Sequence, residues 1–137
     1  IIPDTEYSDE KYRGRSIILF GNASTNSAWG KLLKNAPVQL RNGSVKVGDK
    51  ELNSDDLGCF FVYPKPDSEK KLVAVVGGTG KKGMKLTNRR GFMYPFTNAP
   101  DFILYSDDMF ELNNAGIEAT GFFGNDWSVE KGEFLWK

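Results

Sequence analysis

The residues best suited to chemistry lie in Gly78-Thr-Gly-Lys-Lys-Gly83, directly after the apolar run Leu72–Val76. Their spacing matches G-x-G-x-x-G. Such a loop lets backbone amides approach a pyrophosphate closely, and Lys81 and Lys82 would add positive charge. Asp107 follows the next apolar run, Phe102–Tyr105, where a ribose-binding acid would be expected. A second half that would complete a dinucleotide site is hard to find in so short a chain. Met84 occupies the position where a P-loop needs lysine. Three more polar clusters follow apolar runs: Asn22-Ala-Ser-Thr-Asn26, Ser106-Asp-Asp108 and Asn125-Asp126. In open α/β sheets, ligands gather outside the carboxyl ends of the strands. The candidate binding set is therefore Asn22, Ser24, Thr25, Asn26, Gly78, Thr79, Gly80, Lys81, Asp107, Asn125 and Asp126. Ordinary strand-to-helix turns use the same residue types, and Asp107 and Asp108 also suit a helix start.

Several chemistries are excluded at once. The chain has no His, so it supplies no Ser-His-Asp or Cys-His mechanism and lacks the commonest catalytic zinc ligand. Cys59 is the single cysteine, which rules out a disulfide framework and a Cys-based metal site. Between apolar neighbours it reads as a small core residue. No cofactor or metal is expected. Lys+Arg and Asp+Glu balance at 18 each, so no global attraction to nucleic acid is expected. No apolar run approaches the ~20 residues that span a bilayer. The charge is uneven, however: Lys70–Arg90 is basic without an acid, and Asp101–Lys137 is mostly acidic. Trp29, Trp127 and Trp136 could form a sugar-stacking platform, although Trp29 reads as helix core. Asn22-Ala-Ser24 and Asn42-Gly-Ser44 match the glycosylation acceptor pattern.

These residues need elements to position them. With 137 residues the chain is most simply one domain. Residues 1–15 read as a linker or entry segment ordered near Tyr7 and Tyr12, and 16–137 as a single α/β domain. Without an initiating Met, a mature or excised fragment is expected. Ser16–Phe20 reads as a buried parallel strand. Thr25 or Asn26 would cap a helix to about Lys34, with Ala28, Trp29, Leu32 and Leu33 on its buried face. Asn42-Gly43 favours a type I′ turn, which sets Arg41 opposite Ser44, Leu40 opposite Val45 and Val38 opposite Val47. Lys50–Leu52 would continue that ribbon. Further strands are expected at Leu57–Tyr63, Leu72–Val76, Phe102–Tyr105 and Gly116–Phe123. Short helices are expected near Met84–Arg90 and after Ser106, and Glu130–Lys137 reads as a tail. The expected fold is α/β: a three-layer, Rossmann-like, mostly parallel sheet with an inserted β-hairpin at Val38–Val47.

Several motifs form one ordered set: Ile18-Leu-Phe-Gly-Asn-Ala-Ser-Thr-Asn-Ser-Ala-Trp29, Ala36-Pro-Val38, Asp56-Leu-Gly-Cys-Phe-Phe-Val-Tyr-Pro64, Val75-Val-Gly-Gly-Thr-Gly80 and Gly121-Phe-Phe-Gly-Asn-Asp-Trp-Ser-Val-Glu130. The set resembles the C-terminal region of large bacterial secreted proteins of the prolyl-oligopeptidase-like α/β-hydrolase group, over about Tyr12 to Trp136. The resemblance implies that the nucleophile and its histidine belong to a preceding hydrolase domain. This chain would then be a non-catalytic accessory domain, its partner that hydrolase domain, and its location periplasmic or secreted. The resemblance carries over no site residue. The alternative is a small-molecule, phosphate or nucleotide-binding module built on Gly77–Gly83.

Overall fold

The computed structural model describes residues 1–88 and 99–137. Among the described residues, nine strands form two sheets: β1 (Ile17–Phe20), β2 (Val38–Arg41), β3 (Ser44–Val47), β4 (Lys50–Asn53), β5 (Gly58–Pro64), β6 (Leu72–Gly78), β7 (Phe102–Tyr105), β8 (Ile117–Phe122) and β9 (Glu133–Trp136). The large sheet has the order β1-β6-β5-β7-β8-β9, and the small sheet is the meander β2-β3-β4. Helices are few and short: α1 (Trp29–Leu32), α2 (Lys81–Leu86) and α3 (Asp108–Leu112).

This corrects the α/β, three-layer, Rossmann-like expectation. The fold is mostly β, and only β1 and β6 run parallel. All the other pairs in the large sheet are antiparallel. A parallel neighbour needs a crossover of about a dozen residues or more. Between β5 and β6 the chain has only the short connection of residues 65–71, with Asp67 left-handed at φ 57°. The continuous apolar runs of β6 and β7 report cover on both faces of a strand, which antiparallel strands can also have. In β7 all four residues are buried.

Register divides the large sheet into two faces. On the inner face Leu19, Val75, Phe61 and Phe102 lie in adjacent register. All four are buried with Val38, Leu40, Val45 and Val47 of the small sheet and with Trp29, Leu32 and Leu33 around α1. On the outer face the row is Phe20, Val76, Phe60, Ile103, Thr120 and Leu135. Its middle is covered: Leu86 of α2 and Met109 of α3 pack with Phe60, Ile103 and Tyr105. Its two ends, Phe20 and Leu135, are exposed.

The hairpin has the expected register: Arg41 pairs Ser44, Leu40 pairs Val45 and Val38 pairs Val47. Its turn is not type I′, which needs both central residues left-handed. Gly43 has φ 80°, and among the described residues the positive-φ non-glycines are Asp67 and Trp127. Tertiary contacts set the turn instead. Asn42 N donates to Ser24 Oγ at 3.2 Å, and Gly43 N to Thr79 O at 2.7 Å. The first helix is also shorter than expected and begins after Ala28, not at Thr25 or Asn26. Asn26 Oδ1 accepts from Ala28 N at 3.0 Å, which turns the chain without extending the helix. The expected buried face of Ala28, Trp29, Leu32 and Leu33 is present. Ser16–Phe20 lies at the sheet edge, with Ile18 and Phe20 exposed, and is not the buried strand expected. The expected tail contains β9, which pairs with β8. The end of the helix expected to reach Arg90 lies outside the described residues.

The entry segment is fixed at three points. Tyr7 is buried and stacks on Tyr12 with ring centroids 6.0 Å apart. Asp4 Oδ2 accepts from Ser27 N and Ser27 Oγ, each at 2.6 Å. The buried Lys65 donates its Nζ to Tyr12 O at 2.6 Å and to Arg13 O at 3.2 Å.

Candidate functional site

Strand direction decides which candidate loops meet. β1 and β6 run parallel, and β7 runs the same way because two antiparallel steps through β5 separate it from β6. The loops after β1, β6 and β7 therefore share one end of the large sheet. They carry Asn22, Ser24, Thr25 and Asn26; Gly78, Thr79, Gly80 and Lys81; and Asp107. β8 runs antiparallel to β7, so Asn125 and Asp126 lie at the opposite end. There Asp126 forms its own knot: Oδ1 accepts from Ser128 Oγ at 2.6 Å, and Oδ2 pairs with Lys131 at 2.7 Å. Lys131, first, and Ser128 hold its carboxyl well below the usual carboxylate range.

At the shared end the polar groups satisfy one another. Asn22 is 2% exposed. Its Nδ2 donates to Gly78 O at 2.8 Å and to Asn42 Oδ1 at 2.9 Å. Its Oδ1 accepts from Ser24 N at 2.9 Å and from Thr25 Oγ1 at 3.3 Å. Thr25 Oγ1 also accepts from Asn22 N at 3.1 Å. Both amide hydrogens of a buried side chain are thus in use, as burial requires. The buried Asn22 amide is not available as a glycosylation acceptor in the folded chain. Asn26 Nδ2 donates to Phe20 O at 3.0 Å. One asparagine therefore fastens the end of β1, the end of β6 and the hairpin turn together.

The glycine loop is used in the same way. Thr79 is fully buried; its N donates to Leu57 O at 3.0 Å, and its Oγ1 accepts from Leu57 N at 3.1 Å. A Cβ on Gly83 would come within 2.0 Å of Leu57 O, and one on Gly77 within 2.2 Å of Gly21 O. The close approach that these glycines allow is to the protein's own backbone. Gly78 and Gly80 are equally crowded, by Met84 N and Asp55 O. The α2 helix that follows has six residues.

Two lysines follow Gly80. Lys81 is exposed. Lys82 Nζ lies 3.1 Å from Asp107 Oδ2 and 3.4 Å from Asp56 Oδ2. Asp107, then Asp56, raises the Lys82 ammonium above its ordinary value. Ser54 Oγ donates to Asp56 Oδ1, which with Lys82 holds the Asp56 carboxyl low. The acid expected at a ribose thus lies beside the loop and neutralises its second lysine. Sequence reasoning missed Asn42, Ser54 and Asp56 as members of this cluster. Asn42-Gly43 was legible as a turn, but nothing local places its carboxamide against Asn22.

Other candidates separate. Cys59 is fully buried, and burial pushes its thiol up. Trp29 is buried, with Nε1 donating to Gln39 Oε1 at 3.2 Å. Trp127 packs with Tyr63 and Phe123, while Trp136 lies under Lys50 Nζ, 4.4 Å from its ring centroid. The three tryptophans therefore form no common platform. Among the described residues, no group of three or more His, Cys, Asp or Glu side chains gathers as a metal site would. No helix among them is long and apolar enough to cross a membrane.

Comparison of the chain with protein-family models, with curated proteins and with solved structures finds no match.

Proposed function

We propose that the chain is a non-catalytic accessory domain that docks onto another protein domain through the outer face of its large sheet. The carrying observation is the distribution of exposed apolar residues. Ile18, Phe20, Leu72, Phe122 and Leu135 are exposed at 64%, 58%, 38%, 49% and 75%, and register puts all five on that face. They fall into two groups at the margins, Ile18, Phe20 and Leu72 on β1 and β6 and Phe122 and Leu135 on β8 and β9; single scattered apolar residues need no explanation, whereas grouped ones mark an interaction surface. The motif resemblance supplies the partner, the hydrolase domain of the same parent protein. The candidate strand-end residues support this reading by spending their polar groups on one another. The alternative, a phosphate or nucleotide module, is left with Lys81 and little else, since Thr79 N and Lys82 are engaged.

The test uses the parent protein with this chain intact, deleted, or carrying Phe122→Lys with Leu135→Lys. Deletion and the double variant should both lower the melting temperature of the hydrolase domain by several degrees or alter its substrate range. Unchanged stability, activity and substrate range in both would overturn the reading. Calorimetry with inorganic phosphate and nucleotides tests the alternative: millimolar or tighter binding, lost in Lys81→Ala, would favour it.

A further inference from the structure

A second surface borders the outer face at Ile18 and Phe20 and rests on different atoms, the backbone groups along the edge of β1. β1 is an edge strand of the large sheet. Gly21 N donates to Val76 O at 3.0 Å, and Ile17 registers with Val73. Alternate residues of a strand turn their N–H and C=O groups to the same neighbour. Ile17 and Leu19 therefore face β6, and Ile18 and Phe20 face away from it. Asn26 Nδ2 on Phe20 O, at 3.0 Å, fits that phase. The N–H and C=O of Ile18 and the N–H of Phe20 have no partner among the described residues.

These groups open onto a groove of about 570 Å³, with Ser16–Phe20 on one side and Ile1–Asp4, Tyr7 and Tyr12 on the other. A strand fills ~160 Å³ per residue, from its rise, its spacing to the next strand and the spacing between sheets. The groove thus has room for three or four residues, the length of β1. Arg15 lies at its β1 entrance and has no ion-pair partner among the described residues. We propose that this groove docks an extended peptide segment of a partner, paired along β1, apolar at alternate positions and carrying a carboxylate opposite Arg15. An exposed strand edge gives affinity through main-chain hydrogen bonds, while side-chain pockets give specificity. A second copy of the chain is a poorer fit. The far wall is pinned by Asp4 on Ser27 and by Lys65 on Tyr12 and Arg13. Two β1 edges meeting at ~4.8 Å would drive those walls into each other.

The test is selection of random octapeptides displayed on phage against the whole chain. Enriched peptides should alternate apolar residues and carry an acid toward one end. The peptide enriched most should slow amide exchange at Ile18 and Phe20 at least ten-fold. Ile18→Pro removes an outward N–H where an edge strand tolerates proline, and should weaken that peptide at least ten-fold. Arg15→Glu keeps the strand intact and should switch the selected charge from acidic to basic. Phe122→Lys and Leu135→Lys, which break the outer face, should leave peptide binding unchanged, so this docking and the proposed function fail separately. No enrichment over an unrelated domain, full affinity in Ile18→Pro, or an unchanged charge preference in Arg15→Glu would each overturn the proposal. So would a dimer in sedimentation that Ile18→Pro dissociates, which would make the occupant a second copy.

Discussion

The two faces of the large sheet are made of the same residue types and meet different ends. Phe61 on the inner face is fully buried, and Phe122 on the outer face is half exposed. The inner face has the β2-β3-β4 sheet and α1 over it, so strands of both sheets contribute to one core. Among the described residues, α2 and α3 cover the middle of the outer face, and Phe20, Phe122 and Leu135 on its margins are exposed. Apolar composition alone therefore does not say which surface is core and which is interface. The covering element decides, and among the described residues one face is covered only in its middle.

The sharpest way to break this comparison is a pair of truncations. Phe61→Ala should cost about 3–5 kcal/mol, because it leaves a cavity in a packed core. Urea unfolding monitored by tryptophan fluorescence measures it, and a loss below 1 kcal/mol would mean the inner face is not the main core. Next in size is the fastening of the small sheet over that face. Asn22→Ala strands Gly78 O and Asn42 Oδ1 and should cost about 1–3 kcal/mol. Asn22→Asp should fare no better, since a carboxylate keeps the acceptor and loses both donated bonds. A neutral result for either would show that water replaces the staple.

Smaller effects belong to the exposed parts. Phe122→Ala should change the stability of the isolated chain by only about 0.5 kcal/mol, as surface substitutions do. The contrast with Phe61→Ala would show that the outer face is not a second core, as the proposed docking requires. The smallest effect is pH-dependent. Asp126 is depressed by Lys131 and Ser128, so its contribution is present above the ordinary carboxylate value of 3.8 and is lost as pH falls through its lower folded value. Asp126→Asn should therefore lie slightly below the native chain in urea midpoint at pH 7, and the gap should close in strong acid. A gap that widens on acidification would reverse the sign and remove this assignment.

Much of the local structure could be read from residues. The alternating apolar positions either side of Asn42-Gly43 name the hairpin register though not the turn type, and Phe102-Ile-Leu-Tyr105 is a strand to the residue. Spacing also names the buried face around α1. The sheet's direction was not legible, because an apolar run reports burial on two sides and says nothing of its neighbour's direction. β9 was missed because Glu133-Phe-Leu-Trp136 alternates over only four residues and keeps Leu135 outside. The candidate residues were well placed but their employment was not foreseen. Glycines that tolerate a phosphate also tolerate a carbonyl, and Gly77 and Gly83 meet Gly21 O and Leu57 O. Which of the two occupies the space depends on chain segments far away in sequence.

The β1–β6 pairing has a further consequence, for the order in which the chain assembles. Ser16 Oγ accepts from Leu72 N, 56 residues later, while β2-β3-β4 and β5-β6 pair with neighbours in sequence. Contacts of long separation cost loop entropy before they return any energy, so they form late and slow a fold that depends on them. The meander and the β5-β6 hairpin should nucleate, and β1 should zip on afterwards. Amide exchange should then find β1 opening at lower free energy than β5 or β6, in a sub-global step. The edge strand whose outward backbone groups have no partner among the described residues is in that case the last piece to arrive and the first to leave. Anything that pairs with it would act as a lock on the finished fold.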